Sequence, residues 1–112
     1  MGRGIIIHYG ANVGPDTIIG DFCHLDTNCI TEHDCILDNN VMICPNVTIC
    51  GGVRVQENVF IGASTTIINS TNSKEIIINK NCFIGAGSLI TKSINENTLY
   101  YGTPLNNREK II

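Results

Sequence analysis

The chain has 112 residues, ten acidic and seven basic side chains, and a net charge of −3 at neutral pH. This length predicts one domain, and the absence of a block of Lys and Arg excludes a phosphate-binding surface for nucleic acid. No run of 18 apolar residues and no basic-then-apolar start are present, so we predict a cytoplasmic protein without membrane or nucleic-acid partners.

A six-residue period runs through the sequence from its first residue. Aliphatic residues occupy one position of each hexad except at Thr31: Met1, Ile7, Val13, Ile19, Leu25, Leu37, Ile43, Ile49, Val55, Ile61 and Ile67. Small or β-branched residues occupy the position two before: Ile5, Ala11, Thr17, Cys23, Cys29, Cys35, Val41, Val47, Val53, Val59 and Thr65. Residues two apart on a strand share a face, so both columns should point inward.

Hexapeptide repeats are typical of the parallel β-helix. Each hexad then forms a short strand and a corner, three hexads form one coil, and the coils stack at about 4.8 Å. We therefore predict an all-β solenoid of four to five coils. Glycines follow the inward residues at positions 14, 20 and 62, where we expect tight corners with positive φ.

The period fails between Ile67 and Ile78, where the polar segment 69–75 predicts a loop pushed out from one corner. It resumes at Ile78 and ends after Thr91, and Gly102-Thr-Pro104 marks a turn. We predict a β-helix domain over residues 1–92 and a C-terminal extension over 93–112 that leaves the prism. The loop is expected to border a ligand groove or to reach a neighbouring subunit, and a plain surface insertion stays an alternative.

Six cysteines are present, four of them in the inward column of small residues. We interpret them as reduced packing residues, because a free cysteine behaves as a small buried hydrophobe. A disulfide and a metal held by three cysteines facing the axis of one coil are the alternatives, and no zinc-type C-x-x-C spacing supports the latter.

A coil of three hexads places His33, the pair Gly51-Gly52 and Asn69 in one vertical column, which Ala86 and Gly87 are expected to continue beyond the insertion. This column is a corner of the prism. An exposed imidazole followed by two glycines predicts a groove with bare backbone on its floor, suited to a long amide-bearing ligand. Alternatively, His33 caps a turn and the glycines only form the corner. His8 and His24 are expected to be surface residues.

Several segments resemble a known group of sugar acyltransferases. They are Thr31–Leu37, Cys50–Val55, Asn58–Ser64, Asn81–Ser88 and Gly102–Pro104. They are similar to the left-handed β-helix domain of the sialic acid O-acetyltransferases and bacillosamine-pathway N-acetyltransferases. The resemblance implies a left-handed coil and a homotrimer with acetyl-CoA bound between neighbouring prisms.

By the same resemblance, His33 is the general base, and Asp34 orients it and favours its protonated form. Gly51 offers backbone hydrogen bonds to the thioester end of acetyl-CoA. Gly52 and Asn69, at the same corner, are assigned to cofactor binding as well.

The remaining cofactor-binding positions also follow from the resemblance. Ala86 and Gly87 line the pantetheine path, with Gly102 nearer the nucleotide. Met42 stands near the acetyl group, where the family often has a second histidine, so the acetyl pocket is expected to be more apolar. The family usually carries an N-terminal Rossmann-like domain for the sugar nucleotide, which we expect to be absent from this chain or removed.

The predicted function is acetyl transfer from acetyl-CoA to an amino or hydroxyl group of a sugar or nucleotide sugar, with no metal required. Hexapeptide-type carbonic anhydrases hold zinc with histidines, but the spacings of 16 and 9 between the three histidines here do not match theirs. Two alternatives remain: a non-catalytic trimeric scaffold, and an acetyltransferase for a non-sugar acceptor such as an amino acid.

Overall fold

The computed structural model describes residues 1–102 and the backbone of residues 108–110. Two-residue strands follow one another along the chain, as the hexads predict. They are β1 Ile6–Ile7, β2 Asn12–Val13, β3 Ile18–Ile19, β4 His24–Leu25, β5 Ile30–Thr31, β6 Ile36–Leu37, β7 Met42–Ile43, β8 Thr48–Ile49, β9 Arg54–Val55, β10 Phe60–Ile61, β11 Thr66–Ile67, β12 Ile77–Ile78, β13 Phe83–Ile84 and β14 Leu89–Ile90. The three-residue strands β15 Thr98–Tyr100 and β16 Arg108–Lys110 complete the described chain.

Every third strand joins the same sheet, so the chain winds around a prism with three walls. Sheet A has the order β1-β4-β7-β10-β13-β15-β16, sheet B the order β14-β11-β8-β5-β2, and sheet C the order β12-β9-β6-β3. All pairs are parallel except β15 with β16. The described chain therefore forms a parallel β-solenoid of about five coils, and the all-β prediction is confirmed.

The core is the axial column formed by the two predicted inward positions. Leu25, Ile43, Val55 and Ile61 are all completely buried. Burying such a side chain contributes about 1.5–3 kcal/mol, so the stacked column is the main source of stability. Thr31, the one polar residue of the aliphatic column, is also buried and donates weakly to the Asn12 carbonyl at 3.5 Å.

The cysteines are free thiols, as the packing interpretation predicts. Four of them, Cys23, Cys29, Cys35 and Cys82, are buried. Burial raises the pKa of Cys29 from its ordinary value of 9.0 to about 11, because the thiolate is poorly solvated there. Within residues 1–102, no three cysteines lie close enough together to hold a metal ion.

The corners are formed differently from the prediction. Positive φ is absent at the glycines in positions 14, 20 and 62, and occurs two residues later, at Asp16 (58°), Phe22 (60°) and Ser64 (61°). The glycines are needed for close approach instead. A Cβ at Gly62 would lie 2.5 Å from the Ala86 amide nitrogen, so the next coil leaves no room for a side chain.

The insertion at 69–75 begins at the corner that follows sheet B. Thr71 and Lys74 form an antiparallel bridge, so the segment is a small hairpin. Ser70 Oγ donates to the Gly52 carbonyl and accepts from the Ile76 N–H, both at 2.8 Å. The Lys74 ammonium donates to the Thr91 carbonyl at 3.0 Å. The loop is therefore tied to the corner at its base and near its tip.

The chain does not leave the prism directly after residue 92, contrary to expectation. The strand Thr98–Tyr100 pairs in parallel with the preceding strand of sheet A, with Leu99 opposite Phe83. Tyr100 is buried and its hydroxyl donates to the Leu89 carbonyl at 3.1 Å. The six-residue pattern is lost here, but the coil continues, because an aromatic side chain fills the axial position. Thr103 and Pro104 of the predicted turn lie outside the described residues.

The described part of the chain contains no helix that could span a membrane.

Candidate active site

His33, the predicted general base, lies at the corner between sheets B and C. This B–C corner comprises positions 15–16, 33–34, 51–52 and 69–70. His33 Nδ1 lies 2.9 Å from Asp34 Oδ2, and both side chains are more than half exposed. Asp34 adopts a left-handed φ of 53°, and its N–H donates to the Pro15 carbonyl at 3.0 Å. The coil below thus fixes the backbone from which the carboxylate reaches its neighbouring imidazole.

Gly51 lies directly against the His33 ring. A Cβ on Gly51 would overlap the ring atoms Cε1 and Nε2, so a side chain at this position would displace the imidazole. The Gly52 N–H donates to the His33 carbonyl at 2.8 Å, and Gly52 has a φ of 74°. The two glycines therefore have separate roles: Gly51 makes room for the ring, and Gly52 permits the turn.

Asn69 continues the same corner one coil further, as predicted. The Ser70 N–H donates to the Gly51 carbonyl at 2.9 Å, and the exposed Asn69 amide donates to the Ser70 carbonyl at 3.2 Å. The hairpin 71–74 consequently begins beside the glycine pair. The structure brings together His33, Asp34, Gly51, Gly52 and Asn69 on one edge.

Ala86 and Gly87 do not lie on that edge, so the predicted continuation of the column was wrong. The insertion lengthens one coil, and the register resumes with Phe60 opposite Phe83 and Thr66 opposite Leu89. Gly87 therefore stacks on the corner between sheets A and B, the A–B corner, where its N–H donates to the Ala63 carbonyl at 2.7 Å. An added Cβ on Gly87 would meet nothing within 4 Å, so this corner is open.

Met42 is also separated from His33 within one chain. It lies on the outer face of sheet A, between His24 and Phe60 in the ladder of paired residues. Sheet A is the wall opposite the B–C corner of a three-walled prism. The Phe60 and Phe83 rings stack above Met42 with centroids 4.5 Å apart, which gives this wall an apolar surface.

Sequence reasoning missed a second cluster, at the first coils of sheet A. His8 Nε2 lies 2.7 Å from His24 Nε2, and the two rings are stacked at an angle of 16°. The Asp26 carboxylate joins them, with one possible ligand atom from each residue within 4.8 Å of the others. The signal was available: His8 and Asp26 are one full coil of three hexads apart, and His24 precedes Asp26 by two.

The Asp26 carboxylate is held by its own corner. The Thr27 N–H donates to Asp26 Oδ1 at 2.7 Å, and this hydrogen bond lowers the pKa of the carboxyl, with smaller contributions from His8 and His24. The carboxyl is therefore ionised throughout the neutral range. Cys44 lies in the same column one coil further, where burial raises its pKa and the Asp26 charge adds to the effect.

The fold and its corners define a class, the hexapeptide-repeat parallel β-helix proteins. A family model described as "Bacterial transferase hexapeptide (six repeats)" matches residues 16–51 and 34–69. This part of the chain thus carries the repeats of bacterial hexapeptide transferases. A comparison with curated proteins finds no significant match.

Solved structures with the same fold include several acyltransferases. A mutant of perosamine N-acetyltransferase from Caulobacter crescentus, in complex with CoA and GDP-perosamine, is 23% identical with a TM-score of 0.78, over 88% of this chain and 48% of that one. The acetyltransferase domain of PglB from Neisseria gonorrhoeae is 23% identical with a TM-score of 0.70, over 85% and 47%. AntD, an N-acyltransferase from Bacillus cereus in complex with dTDP and 3-hydroxybutyryl-CoA, is 15% identical with a TM-score of 0.82, over 97% and 70%.

The chain spans about half the length of the first two of these structures. At such identities the likeness concerns the fold. Together with the repeat match, it identifies the solenoid as the left-handed parallel β-helix that the resemblance implied.

Proposed function

We propose that the chain is an acetyl-CoA-dependent acetyltransferase that acts on an amino or hydroxyl group of a sugar or nucleotide sugar, with His33 as the general base. The observation that carries this proposal is the contact of His33 Nδ1 with Asp34 Oδ2 at 2.9 Å. Nδ1–H donates to the carboxylate in this arrangement, which leaves the Nε2 lone pair free to accept a proton. Among the described residues, Nε2 has no hydrogen-bond partner.

The reaction follows from that tautomer. The acceptor nitrogen or oxygen attacks the thioester carbonyl carbon while its proton passes to His33 Nε2. The tetrahedral intermediate then collapses, the C–S bond breaks, and the CoA thiolate takes the proton back from the imidazolium. Asp34 stabilises the imidazolium in between. General-base assistance of this kind contributes about 10²–10⁴-fold.

The developing oxyanion needs a donor near Nε2. Gly51 lies against the ring, and its N–H forms no hydrogen bond within the described residues, so we propose this N–H as the donor. One such donor is worth about 10²–10³-fold in acyl transfer. Gly52, Asn69 and the 69–75 hairpin would border the cofactor on the same edge.

A homotrimer accounts for Ala86 and Gly87, which lie on a different edge from His33 within one chain. If sheet B of each prism faced a threefold axis, the A–B corner of one subunit would meet the B–C corner of the next. Ala86 and Gly87 would then line the pantetheine path along the edge that carries the neighbour's imidazole. Ile30 and Leu89, 39% and 37% exposed on the outer face of sheet B, would become buried. Met42 would be left on an outer wall, and we propose it as the more distant of the acetyl-pocket residues.

The ligands of solved structures with the same fold support a sugar acceptor. The perosamine enzyme is in complex with GDP-perosamine and AntD with dTDP, so proteins of this fold are found with nucleotides bound. A cytoplasmic location is part of this proposal, because CoA thioesters and nucleotide sugars are polar small molecules of that compartment.

The experiment measures acetyl transfer to a panel of amino sugars and nucleotide-linked amino sugars by wild type and His33→Ala. The release of free CoA thiol reports the rate. We expect His33→Ala to lower kcat by about 10²–10⁴-fold while acetyl-CoA still raises the melting temperature. Glu57→Ala, which removes an exposed ionisable side chain from the corner between sheets C and A, outside the B–C and A–B corners, is the control. Unchanged turnover in His33→Ala would exclude His33 as the general base. A melting temperature of wild type that acetyl-CoA does not raise would favour the non-catalytic scaffold.

A further inference from the structure

The cluster of His8, His24 and Asp26 lies apart from the proposed general base within one chain. His24 belongs to strand β4 of sheet A, and His8 and Asp26 occupy the same position of consecutive coils, just after β1 and β4. His33 lies at the B–C corner, with sheet B between the two groups. The proposed reaction makes no use of these three side chains.

The three side chains have the ligand atoms and the spacing of a metal site. Two imidazoles place their Nε2 atoms 2.7 Å apart, and a carboxylate oxygen lies within 4.8 Å of them. Imidazole nitrogen and carboxylate oxygen are ligands that Zn²⁺ prefers, and three protein ligands with one water complete a tetrahedron. Two ligand atoms on one zinc ion stand about 3.4 Å apart, so the two nitrogens would have to separate by about 0.7 Å.

The side chains have the freedom and the support that such a change requires. His8 is exposed at its edge, so its ring can rotate outward, whereas His24 and Asp26 are half-buried and held in place. Asp26 Oδ1 accepts from the Thr27 N–H and, at 3.3 Å, from the Thr27 hydroxyl. These bonds orient the carboxylate and leave its second oxygen as a ligand, the arrangement by which neighbouring groups position metal ligands.

We propose that His8, His24 and Asp26 bind a divalent transition-metal ion of the Zn²⁺ type, which fastens the first coil to the second. Without the ion, one Nε2–H donates to the other Nε2. With it, both rings carry their proton on Nδ1 and both Nε2 lone pairs face the metal, so no proton is released. The ion should stabilise the first coil most, because Ile6 and Ile7 of β1 are 53% and 43% exposed and bury little apolar surface.

The test uses the full chain, stripped of metal by a chelator under reducing conditions and titrated with Co²⁺, whose absorption reports its ligands. Wild type is expected to bind one Co²⁺ per chain without a thiolate-to-cobalt charge-transfer band. His24→Ala should weaken binding by about 100-fold, and Asp26→Asn, which keeps an acceptor for Thr27, by about tenfold or more. His33→Ala is the control, because it removes a histidine that has an aspartate neighbour at another edge, and the affinity of this variant for Co²⁺ should change less than about twofold.

Circular dichroism verifies that each variant is folded. If His24→Ala is unfolded, His8→Gln replaces it, because His8 is exposed and its loss removes one ligand without altering the core. Co²⁺ should also raise the melting temperature of wild type and leave that of His8→Gln unchanged. The proposal is overturned by absent Co²⁺ binding, by equal affinity in the ligand variants and wild type, or by a charge-transfer band that assigns the ion to cysteines.

Discussion

The imidazole of His33 covers Gly51 so closely that a single methyl group on Gly51 would overlap Cε1 and Nε2 of the ring. The two residues are one coil of the prism apart. No other residue type at position 51 would leave the ring where it is. Gly51 therefore leaves the space that the imidazole needs to hold its position, and Gly52 permits the turn with its φ of 74°.

Gly51→Ala should reduce activity with little loss of stability. The added methyl meets only the tip of an exposed side chain, which can swing away, but the swing moves Nε2 from its position. We expect kcat to fall by about tenfold or more, since displacement by about 1 Å is costly in transfer reactions. Steady-state kinetics and a melting curve measure both effects.

Gly62→Ala provides the matched comparison. Its methyl would meet the Ala86 backbone at 2.5 Å, which cannot move aside, so this variant should lose about 1–3 kcal/mol of unfolding free energy. A Gly51→Ala variant that loses as much stability as Gly62→Ala, or that keeps full kcat, would contradict the steric account.

Asp34→Asn tests the carboxylate separately from the corner. Asparagine adopts the left-handed conformation at the equivalent positions Asn28, Asn40 and Asn46, so it should fit the φ of 53° at Asp34. The imidazolium then loses its counter-charge and Nδ1–H its strong acceptor. Because the pair is more than half exposed, we expect a kcat loss of about 10–100-fold, smaller than for buried triads. Equal kcat in Asp34→Asn and wild type would show that Asp34 serves the turn alone.

Replacing the hairpin 71–74 with two glycines should raise KM for acetyl-CoA by about threefold or more and leave kcat nearly constant. The loop begins beside Gly51, so it would contact the cofactor equally in the ground state and in the transition state. Ser70 is retained in this variant, since its hydroxyl joins Gly52 to Ile76. If KM for acetyl-CoA and for the acceptor are both unchanged, the loop is a plain surface insertion without a role in binding.

Ser70→Ala should destabilise the fold through that bridge. The buried Ile76 would keep an N–H without a partner, which costs about 1–3 kcal/mol. Chemical denaturation measures the change, and Ser73→Ala, at the exposed tip of the same hairpin, is the control that should change it little. A Ser70→Ala variant as stable as the control would show that water replaces the hydroxyl.

Alkaline pH should destabilise the protein. The fold raises the pKa of all six thiols, mainly by burial, and that of Cys29 from 9.0 to about 11. The native state keeps protons that the unfolded chain releases, so this stability is full below pH 9.0 and is lost as pH rises toward about 11. Urea unfolding across that range should show a falling free energy, with a smaller slope in Cys29→Val. A constant free energy would mean that the thiols remain equally solvated in both states.

The repeat alone determined the class of fold, the inward columns and the free state of the cysteines, because a strand has only two faces and every sixth residue repeats the same one. It also placed His33, Gly51 and Asn69 on one edge, since an uninterrupted coil of three hexads leaves no other arrangement. Beyond the insertion the count fails, and sequence spacing cannot show how much of the loop lies outside the coil.

The tertiary structure decided the rest. The hairpin leaves the corner and the next coil resumes with Phe83 above Phe60, so Ala86 and Gly87 stack on Ala63 at another edge. Backbone hydrogen bonds between coils set this register, and they join residues whose separation no local pattern fixes. The meeting of His8, His24 and Asp26 has the same origin: side chains from different coils become neighbours only when the chain has wound once around the prism.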